Sequence, residues 1–400
     1  MISVKEALDH VLAHAVALSA EDIPLADADG RVLARDIKAR RTQPPADLSA
    51  MDGYAVRASD VATAPVRLKI IGEVAAGRPF ANTVGPGEAA RIFTGGVLPD
   101  GADTVVVQEQ TARDGDSVEI QKPSAKGRNV RQQGLDFRLG EMAFTAGHQL
   151  RARDLQLAAG MNHPRLPVYR RPKVVLFATG DELVPPGVEP GPGQIVYSNG
   201  FALAALAREE GANVIELGVV GDRLDETIAA VRQARGLAAD ILVTTGGASV
   251  GEYDLVQTAF TAEGMELSFW KIAMRPGRPL LHGRLGAMHV LGLPGNPVSS
   301  YVCAFLFLVP LIRRMSGRSD LTAPTESALL GCNLPANDER ADYLRATLEA
   351  GSEGPVATPF PIQDSSMMVP LAKADCLVIR EPYEPAAIAG SRCRIVKFER

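Results

Sequence analysis

The sequence predicts a multidomain α/β protein with a central, doubly wound, mostly parallel sheet domain, a discontinuous helical domain, an inserted β-rich domain and a C-terminal small β-barrel. Its 400 residues are enough for several domains, each with its own apolar core. Strand patterns alternate with helical patterns from Lys173 to Leu291, as is typical of parallel sheets covered on both faces. Short β-branched segments separated by turn residues lie on either side of that stretch.

An amphipathic helix is predicted at the start of the chain. Ser3 and Glu6 form a capping-box pattern, and apolar residues from Val4 to Ala15 recur at helical spacing. A second helix is predicted at 152–159, and we expect it to pack beside the first with the β-rich segment inserted between them. Residues 1–41 and 137–170 are therefore predicted to form one discontinuous domain.

The other three domains follow from strand patterns. The inserted domain, residues 42–136, has strand patterns at 66–71, 90–93, 104–108 and 117–121. The central domain, residues 171–318, has them at 173–178, 213–220, 240–244 and 287–291, with helical patterns at 201–210 and 224–234. Alternating segments at 343–348, 376–380 and 394–398 predict the barrel, residues 319–400.

Composition argues against several classes of protein. The longest apolar stretch, Val302 to Ile312, is shorter than the roughly 20 residues that span a bilayer, and Lys5 and Glu6 stand where an export signal would be apolar. The four cysteines include no C-x-x-C pair, which argues against a disulfide framework or a zinc site. The net charge of -5 comes without a dense basic stripe. We expect a cytoplasmic protein that binds neither membranes nor nucleic acid.

Four polar loops are predicted at one edge of the sheet, where ligands of open α/β sheets bind. They are residues 179–182, 221–222, 245–252 and 293–297. Gly246 and Gly247 would let backbone amides approach an anion, and Thr245 and Ser249 add hydroxyl donors. A tight turn explains an isolated Gly-Gly pair equally well, so the prediction of an anion site depends on the four loops together.

Three acidic residues accompany these loops: Glu182, Asp222 and Asp254. A single acid after a strand is usually a helix cap. Several acids around an anion site would repel the substrate unless a cation intervened, and Mg²⁺ prefers such oxygen ligands while it bridges to substrate phosphates. The sequence therefore predicts a magnesium site.

A cationic loop carries Lys271, Arg275 and Arg278, and prolines and a glycine stiffen it. Such a loop suits a doubly charged oxyanion such as phosphate, sulfate or molybdate, with a solvated basic loop as the alternative. The sequence has no P-loop, no Rossmann fingerprint, no H-E-x-x-H and no G-x-S-x-G, which disfavours common hydrolases and dehydrogenases.

Seven segments together resemble the molybdopterin molybdenumtransferases, the molybdenum insertase family that includes the E domain of gephyrin. In chain order they are SAMDGYA (49–55), IFTGG (92–96), GAD (101–103), TGDEL (179–183), TGGASVGE (245–252) with Asp254, MRPGRP (274–279) and GLPGNPV (292–298). They occur in the family's order and extend over most of the chain.

The resemblance implies that molybdate is inserted into adenylylated molybdopterin, with Mg²⁺-dependent release of AMP. It implies a homodimer whose active site combines the sheet domain of one subunit with the Asp52-bearing domain of the other. It also implies two kinds of partner, a molybdopterin adenylyltransferase and the apo-molybdoenzymes or cofactor chaperones that receive the product.

By motif, the resemblance also implies residue roles. The catalytic residues would be Asp52, Thr94, Asp136, Glu182, Asp222, Asp254 and Lys271, with Glu182, Asp222 and Asp254 also holding magnesium. Substrate would be bound by Arg131, Thr179, Gly180, Thr245, Gly246, Gly247, Ser249, Arg275, Arg278, Pro294, Pro297 and Ser365, with Ser366 beside the last.

The sequence departs from the family pattern at two places. Arg275 and Arg278 stand where lysine is frequent, so a planar fork replaces a point charge and leaves molybdate and tungstate both open as the anion. Asp136 follows Leu135, where an acidic residue is expected.

Two other functions stay open from sequence. A pterin adenylyltransferase shares the sheet domain and its T-G-G motif, and would use ATP; a non-catalytic scaffold is the alternative outside enzymes. The additional domain that carries Asp52 and Thr94 favours the insertase over the first, and the intact acidic and cationic loops favour it over the second.

Overall fold

A computed structural model describes residues 1–246 and 255–398, which form two compact units. The first unit comprises Met1–Glu21, Gly30–Ala34 and Pro167–Arg400, and the second comprises Asp22–Asp29 and Arg35–Leu166. The domain boundaries given above stay a prediction.

Six strands form the central sheet of the first unit. They are β1 (Lys173–Thr179), β2 (Asn213–Val220), β3 (Ile241–Thr245), β4 (Glu266–Trp270), β5 (Leu281–Leu285) and β6 (Met288–Leu293). Their order is β2-β1-β3-β6-β5-β4. The pairs β1–β2, β1–β3 and β3–β6 are parallel, whereas β5 is antiparallel to both its neighbours. The strand order reverses between β1 and β3, so their carboxyl ends flank the place where ligands bind in such sheets.

Helices cover both faces of this sheet, as the alternating pattern predicted. Val174 and Leu176 of β1 pack in one core with the helix Asn199–Glu209. Val175 and Phe177 point to the other face and pack in a second core with the helices Leu224–Gly236 and Leu255–Ala262. Since neighbouring residues of β1 are buried on opposite faces, its continuous apolar sequence is explained.

The longest apolar helix belongs to the first of these cores. Pro297–Met315 is long and apolar enough to cross a membrane by composition, but 83% of its most apolar window is buried inside the protein. Its middle, Ala304–Leu308, is a π-helical turn between α-helical segments Pro297–Cys303 and Val309–Met315. Pro310 has no N–H to continue the α-helical ladder, which accounts for the altered turn. The burial is that of a core helix.

The first helix, Val4–Leu12, has the predicted capping box. Ala7 and Val11 are fully buried in the core of the first unit, where the helix contacts Val309–Met315. The helix Ala152–Gly160 belongs to the second unit. The expected packing of these two helices beside each other stays a prediction.

Two buried histidines lie in adjacent strands of the central sheet. The Nε2 of His282 lies 3.4 Å from the Nδ1 of His289. Burial lowers the pKa of His282 to about 3, and Coulomb repulsion with His289 lowers it further. His10 of the first helix acts on His282 in the same direction. Burial lowers the pKa of His289 to about 4, and the positive charge of Arg284 lowers it further, whereas a hydrogen bond with the backbone of His14 raises it. Both imidazoles are therefore neutral in the folded protein at pH 7.

The second unit contains the predicted β-rich insertion. Its sheet has the order Thr104–Val107, Gly53–Val56, Glu88–Ile92, Val66–Val74, Ser117–Ile120, Thr111–Asp114. Strands Ile37–Lys38 and Met142–Phe144 pair on either side of this segment. The chain therefore leaves and re-enters the same substructure, as a discontinuous domain requires.

The last strands of the chain close into a five-stranded barrel. They are Thr325–Leu330, Ala341–Gly351, Gly354–Pro359, Cys376–Arg380 and Arg392–Lys397, with a short helix at Met368–Lys373. The barrel closes because Ala341–Gly351 pairs with both Gly354–Pro359 and Cys376–Arg380. This confirms the predicted C-terminal barrel.

Candidate functional site

The carboxyl ends of β1 and β3 approach each other closely at Gly246. Gly246 has a φ of 85°, and a Cβ there would lie 2.4 Å from the carbonyl oxygen of Thr179. Only glycine satisfies both the backbone conformation and the space at this position. Gly180 has a φ of 149°, a conformation that favours glycine, and a Cβ there would lie 2.7 Å from the carboxylate of Glu182 in the same loop. Gly246 therefore allows the two loops to contact each other.

A cavity of about 790 Å³ opens at this edge of the sheet. Eight residues with predicted roles line it: Thr179, Gly180, Glu182, Asp222, Thr245, Gly246, Pro294 and Pro297. Thr179 is 3% exposed, and its hydroxyl oxygen has no hydrogen-bond partner within the described residues. An unpartnered buried hydroxyl costs free energy unless a ligand or water satisfies it. We call this cavity the sheet-edge pocket.

The pocket also contains residues to which the sequence analysis gave no role. They are Leu183, Ile195, Val196, Tyr197, Ser198, Asn199, Pro279, Gly295, Asn296, Ser299 and Met368. Part of this rim is a short parallel pair, Leu183–Val184 with Ile195–Val196. Asn199 donates from Nδ2 to the carbonyl oxygen of Gly295 over 2.7 Å, which ties the start of a helix to the Pro294–Pro297 loop. The sequence indicated this rim only through the motifs that contain Leu183, Pro279, Gly295 and Asn296.

Acidic side chains crowd one side of the pocket. The N–H of Asp222 donates to Oδ1 of Asp181 over 3.1 Å. Partial desolvation raises the pKa of Asp222, and the negative charges of Asp181 and Glu182 raise it further. A bound cation would relieve this repulsion.

The donor chemistry of these residues fits magnesium. Within residues 1–246 and 255–398, no group of three or more histidine, cysteine or acidic side chains has metal-binding geometry. Mg²⁺ typically needs only one or two carboxylates together with water and substrate phosphates, and Glu182 and Asp222 line the same pocket. Gly247, Ser249 and Asp254, predicted to act here, lie outside the described residues.

The three predicted cations of the loop after β4 do not line this pocket; only the neighbouring Pro279 does. Arg275 forms a bidentate ion pair with Asp342, at 2.9 and 2.5 Å, and contacts Asp338 at 3.3 Å. It lines a different cavity, of about 630 Å³, beside the barrel. These partners were not predictable from sequence, since they lie more than 60 positions away along the chain.

The other two cations have different surroundings. Lys271 has a φ of 75°, and its Nζ lies 3.8 Å from the centre of the Trp270 ring, a cation–π contact. The carbonyl oxygen of Arg278 accepts hydrogen bonds from the N–H groups of Ile272 and Leu280, while Arg278 itself is exposed. Their predicted role in anion binding stays a prediction.

The C-terminal barrel contributes a loop to the sheet-edge pocket. Asn296 donates from Nδ2 to the hydroxyl oxygen of Ser365 over 2.8 Å. The N–H of Val298 donates to the carbonyl oxygen of Ser365 over 3.0 Å. Ser366 lines the pocket directly, whereas Ser365 fastens the loop to its rim.

In the second unit, the structure brings Asp52 and Thr94 together. Both the backbone N–H and the hydroxyl of Thr94 donate to Oδ1 of Asp52, each over 2.8 Å. These two hydrogen bonds, the backbone one first, lower the pKa of Asp52, and the charge of Arg91 adds to them. The carboxylate is therefore ionised and fixed in one orientation.

The two remaining predicted residues of this unit lie elsewhere on it. Arg131 is exposed in a short strand that pairs with Leu48–Ser49. Asp136 is exposed, and its N–H donates to the carbonyl oxygen of Gln43 over 3.0 Å. In the described structure, no hydrogen bond links either residue to Asp52 or Thr94.

Comparisons with known proteins cover nearly the whole chain. Three family models match: the MoeA N-terminal region (domain I and II) at residues 2–161, a probable molybdopterin binding domain at 175–314 and the MoeA C-terminal region (domain IV) at 327–398. The middle match contains every residue that lines the sheet-edge pocket except Ser366 and Met368.

Similar proteins agree with these matches. The chain is 41% identical over 308 residues to a molybdopterin molybdenumtransferase of Nostoc sp., covering 74% of this chain and 70% of that protein. It is 34% identical over 384 residues to one of Haemophilus influenzae, covering 94% of each. The crystal structure of a molybdopterin biosynthesis MoeA protein from Pyrococcus horikosii superposes with a TM-score of 0.88 at 32% identity over 100% of both chains.

Proposed function

This chain belongs to the molybdopterin molybdenumtransferase family, and from that premise we propose that it inserts molybdate into adenylylated molybdopterin with magnesium-dependent release of AMP. The observation that carries the proposal is the sheet-edge pocket, which combines crowded carboxylates, an unpartnered threonine hydroxyl and a glycine-lined floor inside the match to a molybdopterin binding domain. The relatives that match along most of the chain are transferases of this name, so an adenylyltransferase is not favoured.

In this proposal the pocket binds the pterin and its phosphates. Thr179 and Thr245 line it with hydroxyl groups, and Gly180 and Gly246 let the substrate approach the backbone. Gly247 and Ser249 would extend the same anion site. Pro294 and Pro297 shape the rim. These residues bind and orient the substrate, and positioning of this kind supplies much of the acceleration in reactions without a covalent nucleophile.

Glu182, Asp222 and Asp254 would hold Mg²⁺ beside the substrate phosphates. A bound magnesium ion supplies charge neutralisation and polarises the phosphoanhydride. The raised pKa of Asp222 supports this role, because it is caused by desolvation and then by the negative charges of Asp181 and Glu182, which a bound cation would offset. Asp136 and Arg131 would act with Asp52 on the same substrate, as the family motifs imply.

Lys271, Arg275 and Arg278 would bind molybdate. For Arg275 this requires the bound oxyanion to compete with Asp342 and Asp338, its partners in the structure. An arginine fork suits a tetrahedral oxyanion, and the assay below, repeated with tungstate in place of molybdate, would measure the choice between the two anions.

We also propose that the protein is a cytoplasmic homodimer in which Asp52 and Thr94 of one subunit act on substrate in the sheet-edge pocket of the other. Its partners would be a molybdopterin adenylyltransferase, which supplies the substrate, and apo-molybdoenzymes or cofactor chaperones, which receive the product.

Co-expression of Asp52→Asn and Asp222→Asn chains tests the shared site. Mixed dimers would contain one intact site and restore about a quarter of the activity; no restoration would contradict sharing.

AMP release from adenylylated molybdopterin tests the function itself. The purified protein is assayed with and without Mg²⁺ and molybdate, and Asp222→Asn serves as the variant with an impaired pocket. We expect release only when both ions are present and a loss of at least tenfold in the variant. The proposal would be overturned if the wild type released AMP equally well without Mg²⁺ and molybdate, or if it adenylylated molybdopterin from ATP instead.

A further inference from the structure

A buried arginine of the C-terminal barrel holds the loop that borders the sheet-edge pocket. Arg345 lies in the strand Ala341–Gly351 and is 1% exposed. No carboxylate of the described residues lies within ion-pair distance of its guanidinium. Burying a charge without a counter-ion is costly unless hydrogen bonds satisfy it. The hydrogen-bond acceptors of the guanidinium therefore indicate the role of Arg345.

All of these acceptors belong to one loop, Phe360–Met367, which we call the barrel loop. The guanidinium donates from Nη1 to the carbonyl oxygen of Met367 over 2.9 Å and from Nη2 to that of Asp364 over 2.9 Å. Its Nε donates to Oε1 of Gln363 over 3.3 Å. Burial lowers the pKa of Arg345. Because the ordinary pKa of arginine lies far above 7, the guanidinium stays charged.

The backbone of Arg345 grips the other end of the loop. The N–H of Arg345 donates to Oε1 of Gln363 over 3.1 Å, and the Nε2 of Gln363 donates back to the carbonyl oxygen of Arg345 over 3.0 Å. The N–H of Phe360 also donates to that carbonyl oxygen, over 3.0 Å. Both ends of the barrel loop are therefore fixed to a single residue.

The loop carries this constraint to the pocket. Two of the carbonyl groups to which Arg345 donates, those of Asp364 and Met367, lie on either side of Ser365 and Ser366. Ser365 contacts the pocket rim through Asn296, as described above, and Ser366 lines the pocket. A shift of the loop would therefore move both serines together.

We propose that Arg345 is a positioning residue that sets the place of Ser365 and Ser366 at the sheet-edge pocket. The planar guanidinium donates to four acceptors in fixed directions, since Nη2 also reaches the carbonyl oxygen of Ile362 over 3.5 Å, and an ammonium group on a lysine cannot reproduce this pattern. Arg345 itself does not touch the pocket, so it acts on substrate only through the barrel loop. The inference deepens the proposed function and depends on substrate binding in this pocket.

Arg345→Lys, with Arg380→Lys as the matched control, tests the proposal. Arg380 is also buried in the barrel, at 3% exposure, and sits opposite Asp342 in the neighbouring strand. It too donates to carbonyl oxygens outside the strands, those of Pro335, Glu384 and Pro385, but the two segments that contain them do not line the sheet-edge pocket. Both variants keep the positive charge and lose the fork.

We expect both substitutions to lower the melting temperature but only Arg345→Lys to change the reaction. Since misplacement by about 1 Å can cost a hundredfold in rate, kcat/KM for adenylylated molybdopterin should fall at least tenfold in Arg345→Lys, with KM rising, and stay within about twofold in Arg380→Lys. Equal kinetic effects in both variants, or unchanged kinetics in folded Arg345→Lys, would overturn the proposal.

A second variant and a second measurement cover two further outcomes. Should Arg345→Lys fail to fold, Gln363→Asn shortens the other anchor of the barrel loop without touching a buried charge, and the same rise in KM is expected. Hydrogen–deuterium exchange of the amides of residues 360–367 needs no substrate. Faster exchange in either loop variant, but not in Arg380→Lys, is expected even if the wild type releases no AMP, and unchanged exchange would refute the positioning role.

Discussion

Replacing Gly246 with alanine should separate the two loops that form the floor of the sheet-edge pocket. The added Cβ would lie 2.4 Å from the carbonyl oxygen of Thr179, whereas real Cβ atoms essentially never approach a neighbour within 3.0 Å. The loops must therefore move apart by at least 0.6 Å, the difference between these two distances. In addition, an alanine at the φ of 85° costs about 1–2 kcal/mol through its left-handed conformation.

Gly286→Ala is the control that separates these two effects. Gly286 lies in the turn between β5 and β6, has a φ of 65°, and an added Cβ there meets no atom within 4 Å. Both variants carry the conformational cost, but only Gly246→Ala has the clash. Denaturant unfolding should show a loss of about 1–2 kcal/mol in the control and a larger loss in Gly246→Ala.

The kinetic comparison tests what the clash does to the site. A displacement of this size at the floor of the proposed substrate pocket should reduce kcat/KM for adenylylated molybdopterin on the order of tenfold to a hundredfold in Gly246→Ala. The control should stay near the wild-type value. If Gly246→Ala loses no more stability and no more activity than Gly286→Ala, the close approach of the loops does not matter and the description of the pocket floor is wrong.

Three further predictions concern other parts of the molecule. His282 and His289 titrate with lowered pKa values of about 3 and about 4 in the folded state and near 6.5 when unfolded, so their stabilising effect is complete above pH 6.5 and is lost as pH falls towards the folded values. Each histidine should therefore reduce the free energy of unfolding by roughly 2 kcal/mol between pH 7 and pH 5. A variant with glutamine at both positions that keeps the pH dependence of the wild type would contradict this. Asp52→Asn should keep the melting temperature but lower kcat at least tenfold, and wild-type turnover would remove Asp52 from the reaction. Arg275→Ala should raise KM for molybdate and destabilise the protein by about 1–2 kcal/mol, because it leaves the buried carboxylate of Asp342 unpaired; a change in stability alone would limit Arg275 to a structural role.

The central sheet was predictable because its strands are buried on both faces. Val174 to Phe177 form a continuous apolar run, and the structure buries alternate residues in two different cores. The loops at the carboxyl ends of the strands follow from the same topology, which is why Thr179, Asp222 and Thr245 were correctly expected to line one pocket.

Contacts between distant segments were not predictable in the same way. The contact of the first helix with Val309–Met315 was not foreseen, because an apolar helix face is compatible with any sufficiently large core. The pairing of Arg275 with Asp342 and the hydrogen bonds of Arg345 to the barrel loop depend on how the barrel closes. No local pattern encodes that closure, so the residues of the cationic loop did not reveal which of its charges are already paired.

A single-turnover experiment that measures both AMP and pterin-bound molybdenum is the most direct test of insertion coupled to AMP release. The protein, loaded with adenylylated molybdopterin and Mg²⁺, is mixed with molybdate, and AMP and pterin-bound molybdenum are quantified at the same times. We predict that AMP and pterin-bound molybdenum appear together in equal amounts and that an apo-molybdoenzyme becomes active with the product. AMP that appears without bound molybdenum, or molybdenum bound while AMP stays attached, would contradict insertion coupled to AMP release at the sheet-edge pocket.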